Sequence, residues 1–556
     1  MSLQILNSPF NNSVENDAAV FSTRIFVSQK LVGRTGKDLF YKEIIAAKNS
    51  QKIPVFASGK AAHSKYDPER EARNFGAESD GAKFAVILGI AGGYHIKSFL
   101  ERNQKCKILC IEKSREDYNF FKNEIPCVKE ISMRENFSVA FPENLQEEIF
   151  KNYFPAVHGD LSILTMRAWA DEDKILYEKI SQEIEGALKK IAADFSVQSH
   201  FGALWQKNIF CNLKTLQKMQ ADLRYAGATN SAKIDTKKIA AIIAAGPSLD
   251  ESAKKIKDAR EKYFVIATDT SFKALMRTGI VPDAVVSIDA QSLSANHFIG
   301  KKSRDTIFVL SLDSDASIAN ALYENSSKII FCASHHPLAS FAAQFCETSF
   351  PLLESGSGTV TIAAADFAKK CGFEKIQVFG ADFAYSRGKP YALGTYLDEL
   401  YRATENKIES AEKKFSSLMF RTPLEKISLE KISAAKNQVL DSYKNSFTQW
   451  LSHNAEFFEY KNFLWNANLK KLSTLQADFF SPRFNMNSFK DALSKGIESE
   501  IAKMNSCECE IDTNSPFSKI ALPYLAFIRN KKTETFCARR DFLLALNKIL
   551  WYNKNL

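Results

Sequence analysis

The chain has 556 residues, 45% hydrophobic and 25% charged, with 43 Phe. That balance excludes a disordered chain and exceeds one ordinary core, so two or three domains are expected. The 74 basic and 64 acidic residues give a net charge of +10; they are interleaved, and without a basic stripe a nucleic-acid partner is not expected. The longest apolar run, around residues 239–245, is far short of the roughly 20 residues of a membrane helix. With no basic and apolar leader at the N-terminus, a cytoplasmic protein without a membrane span is expected. Ten Cys, with Cys106/Cys110 and Cys507/Cys509 the only close pairs and no C-x-x-C, argue against a disulfide scaffold and a zinc site.

In chain order, a strand over 83–88 leads into Gly89-Ile-Ala-Gly-Gly93, a helix over 96–102 and a strand over 107–111 ending at Glu112. This strand, glycine turn, helix and strand form a Rossmann-like unit. The turn and Glu112 have the form of a site for a nucleotide or S-adenosylmethionine, with packing alone at least as good an explanation. Next, Leu176, Ile180, Ile184, Leu188, Ile191 and Phe195 repeat at three and four, predicting a helical connector to about residue 223. Strands are then expected at 240–244, 263–267, 284–288, 307–312, 328–332 and 375–379. Short apolar strands alternating with helices imply a mostly parallel sheet covered on both faces. From 402 the three-and-four spacing of 426–450, 489–503 and 539–551 reads as helix. The expected class is therefore α/β: a Rossmann-like N-terminal domain over 1–165, a connector over 166–233, a central α/β domain over 234–401 and a helical C-terminal domain over 402–556.

In parallel sheets ligands bind beyond the carboxyl ends of the strands. The first central strand runs into Gly246-Pro247-Ser248, where Gly246 permits close approach, Ser248 caps a helix and Glu251 completes a capping box. Later strand ends present Asp269, Thr270 and Ser271, then Asp289, Asp313, and the pair His335 and His336. A second small-residue turn, Ser355, Gly356, Ser357, Gly358 and Thr359, opens an Ala-rich helix, and the last strand ends in Gly380-Ala-Asp382-Phe-Ala-Tyr385. Each carboxylate alone reads as a cap; together they read as a cleft for a nucleotide.

The blocks Gly246-Pro-Ser-Leu249, Pro282-Asp283 with Ile288-Asp289, Ser355-Gly-Ser-Gly358 and Gly380-Ala-Asp-Phe-Ala-Tyr385 resemble the motility accessory factor (Maf) family. So do the Ser64–Ala72 segment, the Gly89–Gly93 turn and Trp205-Gln-Lys-Asn208 with Asn212. The resemblance covers roughly the first 400 residues. It implies a flagellin glycosyltransferase that moves a nonulosonic acid, such as pseudaminic or legionaminic acid, from a CMP-activated donor to Ser/Thr of flagellin. No tightly bound cofactor is expected beyond the CMP-activated donor itself, no metal-ligating residues stand out, and a need for Mg²⁺ stays open without support from the sequence. The central module is also similar to bacterial sialyltransferases. By that likeness Gly246, Pro247 and Ser248 hold the donor phosphate, Ser355–Thr359 complete the cleft, and Asp269, Thr270 and Asp289 line the nucleotide side. The family's histidine position, in a Gly-Lys-x-His-Ala segment, is here Gly388-Lys-Pro-Tyr391-Ala. The general base is thus open among Asp382, Tyr391, His335 and His336, with Arg387 or Lys389 neutralising the leaving phosphate. Asn208 and Asn212 share one helix face, to touch the cleft or bridge domains. Two rivals stay in view. The module resembles archaeal 6-hydroxymethylpterin diphosphokinases, for which Asp269, Asp289, Asp313 and Asp382 would hold Mg²⁺. A flagellin-binding chaperone without catalysis is the other.

Overall fold

The computed structural model describes residues 29–30, 40–222, 224, 234–300, 303–325, 327–346, 350, 352–354, 358–429, 432–454, 459–461, 464–468, 483–506, 510–531 and 537–556. These divide into two compact units: residues to His200 with Leu525–Asp541, and Phe201–Tyr524 with Phe542–Leu556.

In the first unit, strands β1 (Gln29–Lys30), β2 (Tyr41–Ala46) and β3 (Lys52–Phe56) form an antiparallel sheet. Strands β4 (Phe84–Leu88), β5 (Lys107–Ile111), β6 (Phe137–Ala140) and β7 (Ser162–Thr165) form an all-parallel sheet in the order β6-β5-β4-β7. The run Phe-Ala-Val-Ile-Leu of β4 is buried throughout, as a strand covered on both faces requires. The Ser64–Ala72 segment enters the short helix Pro68–Ala72, with Asp67 accepting the Arg70 N–H at 3.0 Å and proline in the first turn, where its missing donor costs nothing.

The second unit is built on β8 (Ile239–Ile243), β9 (Tyr263–Thr268), β10 (Ala284–Ser287), β11 (Ile307–Ser311), β12 (Lys328–Cys332) and β13 (Lys375–Phe379). They lie parallel in the order β12-β11-β10-β9-β8-β13. All six agree with the sequence expectation to within a residue, because each is an apolar run bounded by polar or glycine residues. The chain leaves β8 toward β9 on one side and returns as β13 on the other, so the order of connections reverses between β8 and β13. Such a reversal opens a crevice at the carboxyl ends of the strands.

The region after 402 differs from the helical expectation. Residues 426–450 do not form one helix. β15 (Glu425–Leu429) and β16 (Ile432–Lys436) pair antiparallel, β16 adds to β14 (Tyr385–Ser386), and a helix spans only Gln438–His453. Two five-residue runs carry too few apolar positions to separate a period of two from one of 3.6, and β14 offers a free edge to pair with. Strands β17 (Glu459–Lys461) and β18 (Leu464–Asn468) extend the large sheet beyond β13. The helices Met486–Ser506 and Ala538–Asn555 enclose the segments expected to be helical. Lys174–Ala221, the expected connector, is one helix of 48 residues. Among the described residues no helix is long and apolar enough to cross a membrane, and the described cysteines, Cys106 and Cys110 among them, are free thiols. Cys507 and Cys509 lie outside the described residues.

Candidate active site

The crevice between β8 and β13 is stitched closed at its base. Ala244 N–H donates to Phe379 O at 2.8 Å and Gly246 N–H to Gly380 O at 2.7 Å. A β-carbon at Gly246 would lie 2.5 Å from Gly380 O and 2.7 Å from Asp382 Cγ, so only glycine lets the two strand ends meet. Above this contact Ser248 gives both its donors to Asp382: its N–H reaches Oδ2 at 2.8 Å and its hydroxyl reaches Oδ1. Ser248 therefore does not cap its helix, Leu249–Asp258, through its side chain. The capping box expected from sequence is absent, since Asp382 outcompetes the helix for the hydroxyl and Glu251 pairs with Arg387. Burial pushes the Asp382 carboxyl up, opposed by the two Ser248 donors and by Arg387.

The segment after β14 folds back over this turn. Leu393 N–H donates to Asp250 at 2.8 Å, Lys389 lies 3.7 Å from the same carboxylate, and Ala392 N–H donates to Ala245 O at 2.9 Å. Phe383 and Arg387 hold φ of 47° and 55°, a left-handed conformation costly for residues with side chains and concentrated at functional sites. Tyr391 is carried inward here. Burial chiefly, then Tyr385, Tyr443, Tyr401 and Asp269, push its phenol up.

At the end of β9, Asp269 is buried; it accepts from Thr270 N–H at 2.7 Å and from the Ser287 hydroxyl at 2.8 Å. Asp289, past β10, accepts from Gln291 N–H at 2.9 Å. Its carboxyl is pushed up by burial first, with Asp269 and Asp315 adding to the rise and Gln291 and His297 opposing it. His297, closing the turn Ser292–His297, joins this group. Its ring meets Tyr396 edge-on at 5.8 Å, and its Nδ1 is buried without a hydrogen-bond partner among the described residues. Lys273, on the helix Asp269–Arg277, pairs with Glu399 at 3.0 Å. Sequence reading missed His297, Lys273 and Tyr396, because only parallel pairing of distant strands brings them together and no local motif marks them.

Asn208 and Asn212 turn toward the strand ends. Asn208 Nδ2 donates to Ala290 O and Asp313 O at 3.0 and 3.2 Å, and Asn212 Nδ2 to Leu312 O and Ser314 O, both at 2.9 Å. The two amides pin the loops after β10 and β11.

Other candidates sit apart. His335 and His336 follow β12, four strand intervals from β8, about 19 Å at the usual spacing of roughly 4.8 Å. His336 accepts Leu338 N–H through Nδ1 at 3.2 Å and caps the helix Pro337–Ala343, and burial lowers its pKa to about 3. His335 lies 3.6 Å from Glu354. Asp313 follows β11, four intervals from β13, accepts the Ser311 hydroxyl and is pushed up by burial. Asp313 and Asp382 are thus too far apart to share one ion, and among the described residues no group of three His, Cys, Asp or Glu is placed to hold a metal. Ser355, Gly356 and Ser357 lie outside the described residues. Gly358, with φ 71°, and Thr359, which accepts Thr361 N–H at 3.3 Å, open the helix Val360–Lys370.

The glycine turn of the first unit is filled by the protein itself. Glu112 is fully buried and accepts from Trp169 Nε1 at 2.9 Å, Ile90 N–H at 2.9 Å, Lys113 N–H at 2.8 Å and the Tyr41 hydroxyl at 3.2 Å. A β-carbon at Gly89 would lie 2.6 Å from Trp169 Cγ. Of the two readings open from sequence, packing accounts for every donor around Glu112.

A family model described as "6-hydroxymethylpterin diphosphokinase MptE-like" matches residues 207–388, a stretch that includes β8 to β13. Two uncharacterised proteins of Treponema pallidum (strain Nichols) are similar. One is 37% identical over 151 residues, 26% of this chain and 53% of that protein. The other is 36% identical over 154 residues, 28% of this chain and 70% of that protein. The chain belongs to the family of this second protein. It spans about half the length of the first. A solved structure, a Maf glycosyltransferase from Magnetospirillum magneticum AMB-1, superposes with a TM-score of 0.54 at 11% identity, covering 94% of this chain and 93% of that one. This family member therefore has the Maf glycosyltransferase fold, as the sequence motifs implied.

Proposed function

We propose that this chain is a cytoplasmic, inverting glycosyltransferase that moves a nonulosonic acid from a CMP-activated donor to Ser/Thr hydroxyls of flagellin. The observation that carries the reading is the fold likeness to a Maf glycosyltransferase over 94% of the chain. The polar crevice at the reversal between β8 and β13 supports it. Departure of CMP from the anomeric carbon passes through an oxocarbenium-like state, and the main demand is to neutralise charge growing on the leaving phosphate. In this reading Ser248 turns its donors from Asp382 to the phosphate, which Arg387 and Lys389 also meet, while Asp269, Thr270 and Asp289 line the nucleotide and sugar side.

The family match over 207–388 favours a second reading, pyrophosphoryl transfer from Mg-ATP, with Asp269 and Asp289 on adjacent strands as the carboxylates for Mg²⁺. Calorimetric titration with CMP and with Mg-ATP, repeated on Ser248→Ala, separates the two. CMP binding that weakens at least tenfold in the variant is expected. Preference for Mg-ATP would move the assignment to pyrophosphoryl transfer, and silence toward both would leave a flagellin-binding role without catalysis.

A further inference from the structure

We propose that His297 is the general base of the transfer, an assignment that rests on the glycosyl-transfer reading and deepens it. The case begins with the partners that the other candidates already hold. Both oxygens of Asp382 accept from Ser248, and both oxygens of Asp269 accept from Thr270 and Ser287. Tyr391 is held as a neutral phenol by its burial. His336 spends Nδ1 on a helix cap, its Nε2 is buried, and both it and His335 lie at the far edge of the sheet.

His297 has none of these commitments. Neither ring nitrogen has a hydrogen-bond partner among the described residues; Nδ1 is buried and Nε2 is the nitrogen solvent reaches. The strand that His297 follows, β10, lies two intervals from β8, about 10 Å at the usual spacing, and Asp269, at the end of the intervening β9, acts on the ring electrostatically. Tyr396, on the helix Tyr396–Ala403, fixes the ring plane at 88° to its own, so the imidazole is oriented before substrate arrives.

Four charged or titratable groups face it: Asp269 and Lys273 from the helix Asp269–Arg277, Asp289 from the loop after β10, and Tyr396. Glu399 partly neutralises Lys273, and Asp315 acts through Asp289. Burial first, and Lys273, hold the ring below the ordinary histidine range, while Asp269 and Asp289 oppose them. The imidazole is consequently neutral at pH 7 and able to accept a proton, and the two carboxylates then stabilise the cation.

In the step itself the acceptor hydroxyl gives its proton to Nε2 while its oxygen bonds to the anomeric carbon. The bond from that carbon to the phosphate oxygen breaks, its electron pair leaves with CMP, and Nε2 later returns the proton to solvent.

The test is transfer from a CMP-nonulosonic acid to flagellin by the full chain and by His297→Asn and His297→Gln, with CMP affinity measured in parallel. The expected result is a fall in kcat of about 100-fold or more, CMP affinity within about twofold, and loss of the acid limb that wild type shows below neutral pH. A merely structural histidine would not remove that limb. Transfer within threefold of wild type, with the limb intact, overturns the assignment. Should both variants misfold, carbethoxylation of wild type by diethyl pyrocarbonate decides. Modification of His297 that abolishes transfer, and protection by bound donor, supports the proposal; full activity with His297 modified overturns it. A wild-type chain that binds CMP without transferring also overturns it, and one that ignores CMP overturns the glycosyl-transfer reading beneath it.

Discussion

The two parallel sheets share a device and use it in opposite ways. Each reverses its strand order beside a strand that ends in a glycine turn: β4 between β5 and β7, and β8 between β9 and β13. In the first, the reversal is plugged by Trp169 lying against Gly89, and Glu112 takes up the turn's donors. In the second, Asp382 binds Ser248 beside the turn, and past the neighbouring strand β10 the Nδ1 of His297 is buried without a hydrogen-bond partner among the described residues. Topology thus provides a place for a ligand, and side chains decide whether it stays open. Beside the first turn the Nδ1 of His95 is also buried without a partner among the described residues, so an unmet atom alone does not mark a site; the filling of the turn by Trp169 and Glu112 is what separates it from the second.

The contrast can be broken most severely at Trp169. Trp169→Ala should cost the first unit about 3–5 kcal/mol, through the cavity and through Glu112 losing a donor. A thermal transition that falls by several degrees with CMP affinity unchanged would keep the two roles distinct, and restored nucleotide binding at the emptied turn would erase the distinction. Gly246→Ala comes next. Its β-carbon has no room against Gly380 O and Asp382, so a cost of roughly 1–3 kcal/mol and at least a tenfold loss of CMP affinity are expected by denaturant unfolding and titration. Ser248→Ala should cost only about 1 kcal/mol of stability, yet cut transfer far more, read as kcat against unfolding midpoint. The smallest effect is a gain. The folded-state pKa of Asp289 is raised, so its ionised form disfavours the fold as pH climbs past the ordinary carboxylate value of about 3.9. Asp289→Asn should therefore be slightly more stable than wild type at pH 7, with the difference vanishing in acid, while turnover drops.

The strands were legible in sequence because burial on both faces writes itself as unbroken apolar runs, as in Ile239–Ile243 or Lys328–Cys332. The glycine turns at Gly89 and Gly246 were legible for a similar reason, since close approach of neighbouring groups admits few residue types. What failed was whatever depended on partners far along the chain. Ser248 reads locally as a helix cap, but its partner lies 134 residues away. The antiparallel pair at 425–436 needed β14 as a template, and His297 gains meaning only once β9 and β10 lie side by side. Tyr391, flagged by its place in a family motif, lies on the segment that folds back over the Gly246 turn, and its burial among other tyrosines is nothing the local sequence announces.

The amides of Asn208 and Asn212 precede the first strand of the sheet they brace. A gene fragment cut at Ile234, where the alternating pattern begins, would encode all six parallel strands and still lack four of their loop contacts. The carbonyls of Ala290, Leu312, Asp313 and Ser314 would lose the donors that the helix Lys174–Ala221 supplies. The smallest piece that retains a braced crevice therefore starts upstream of Asn208, inside a helix, at a point no linker advertises.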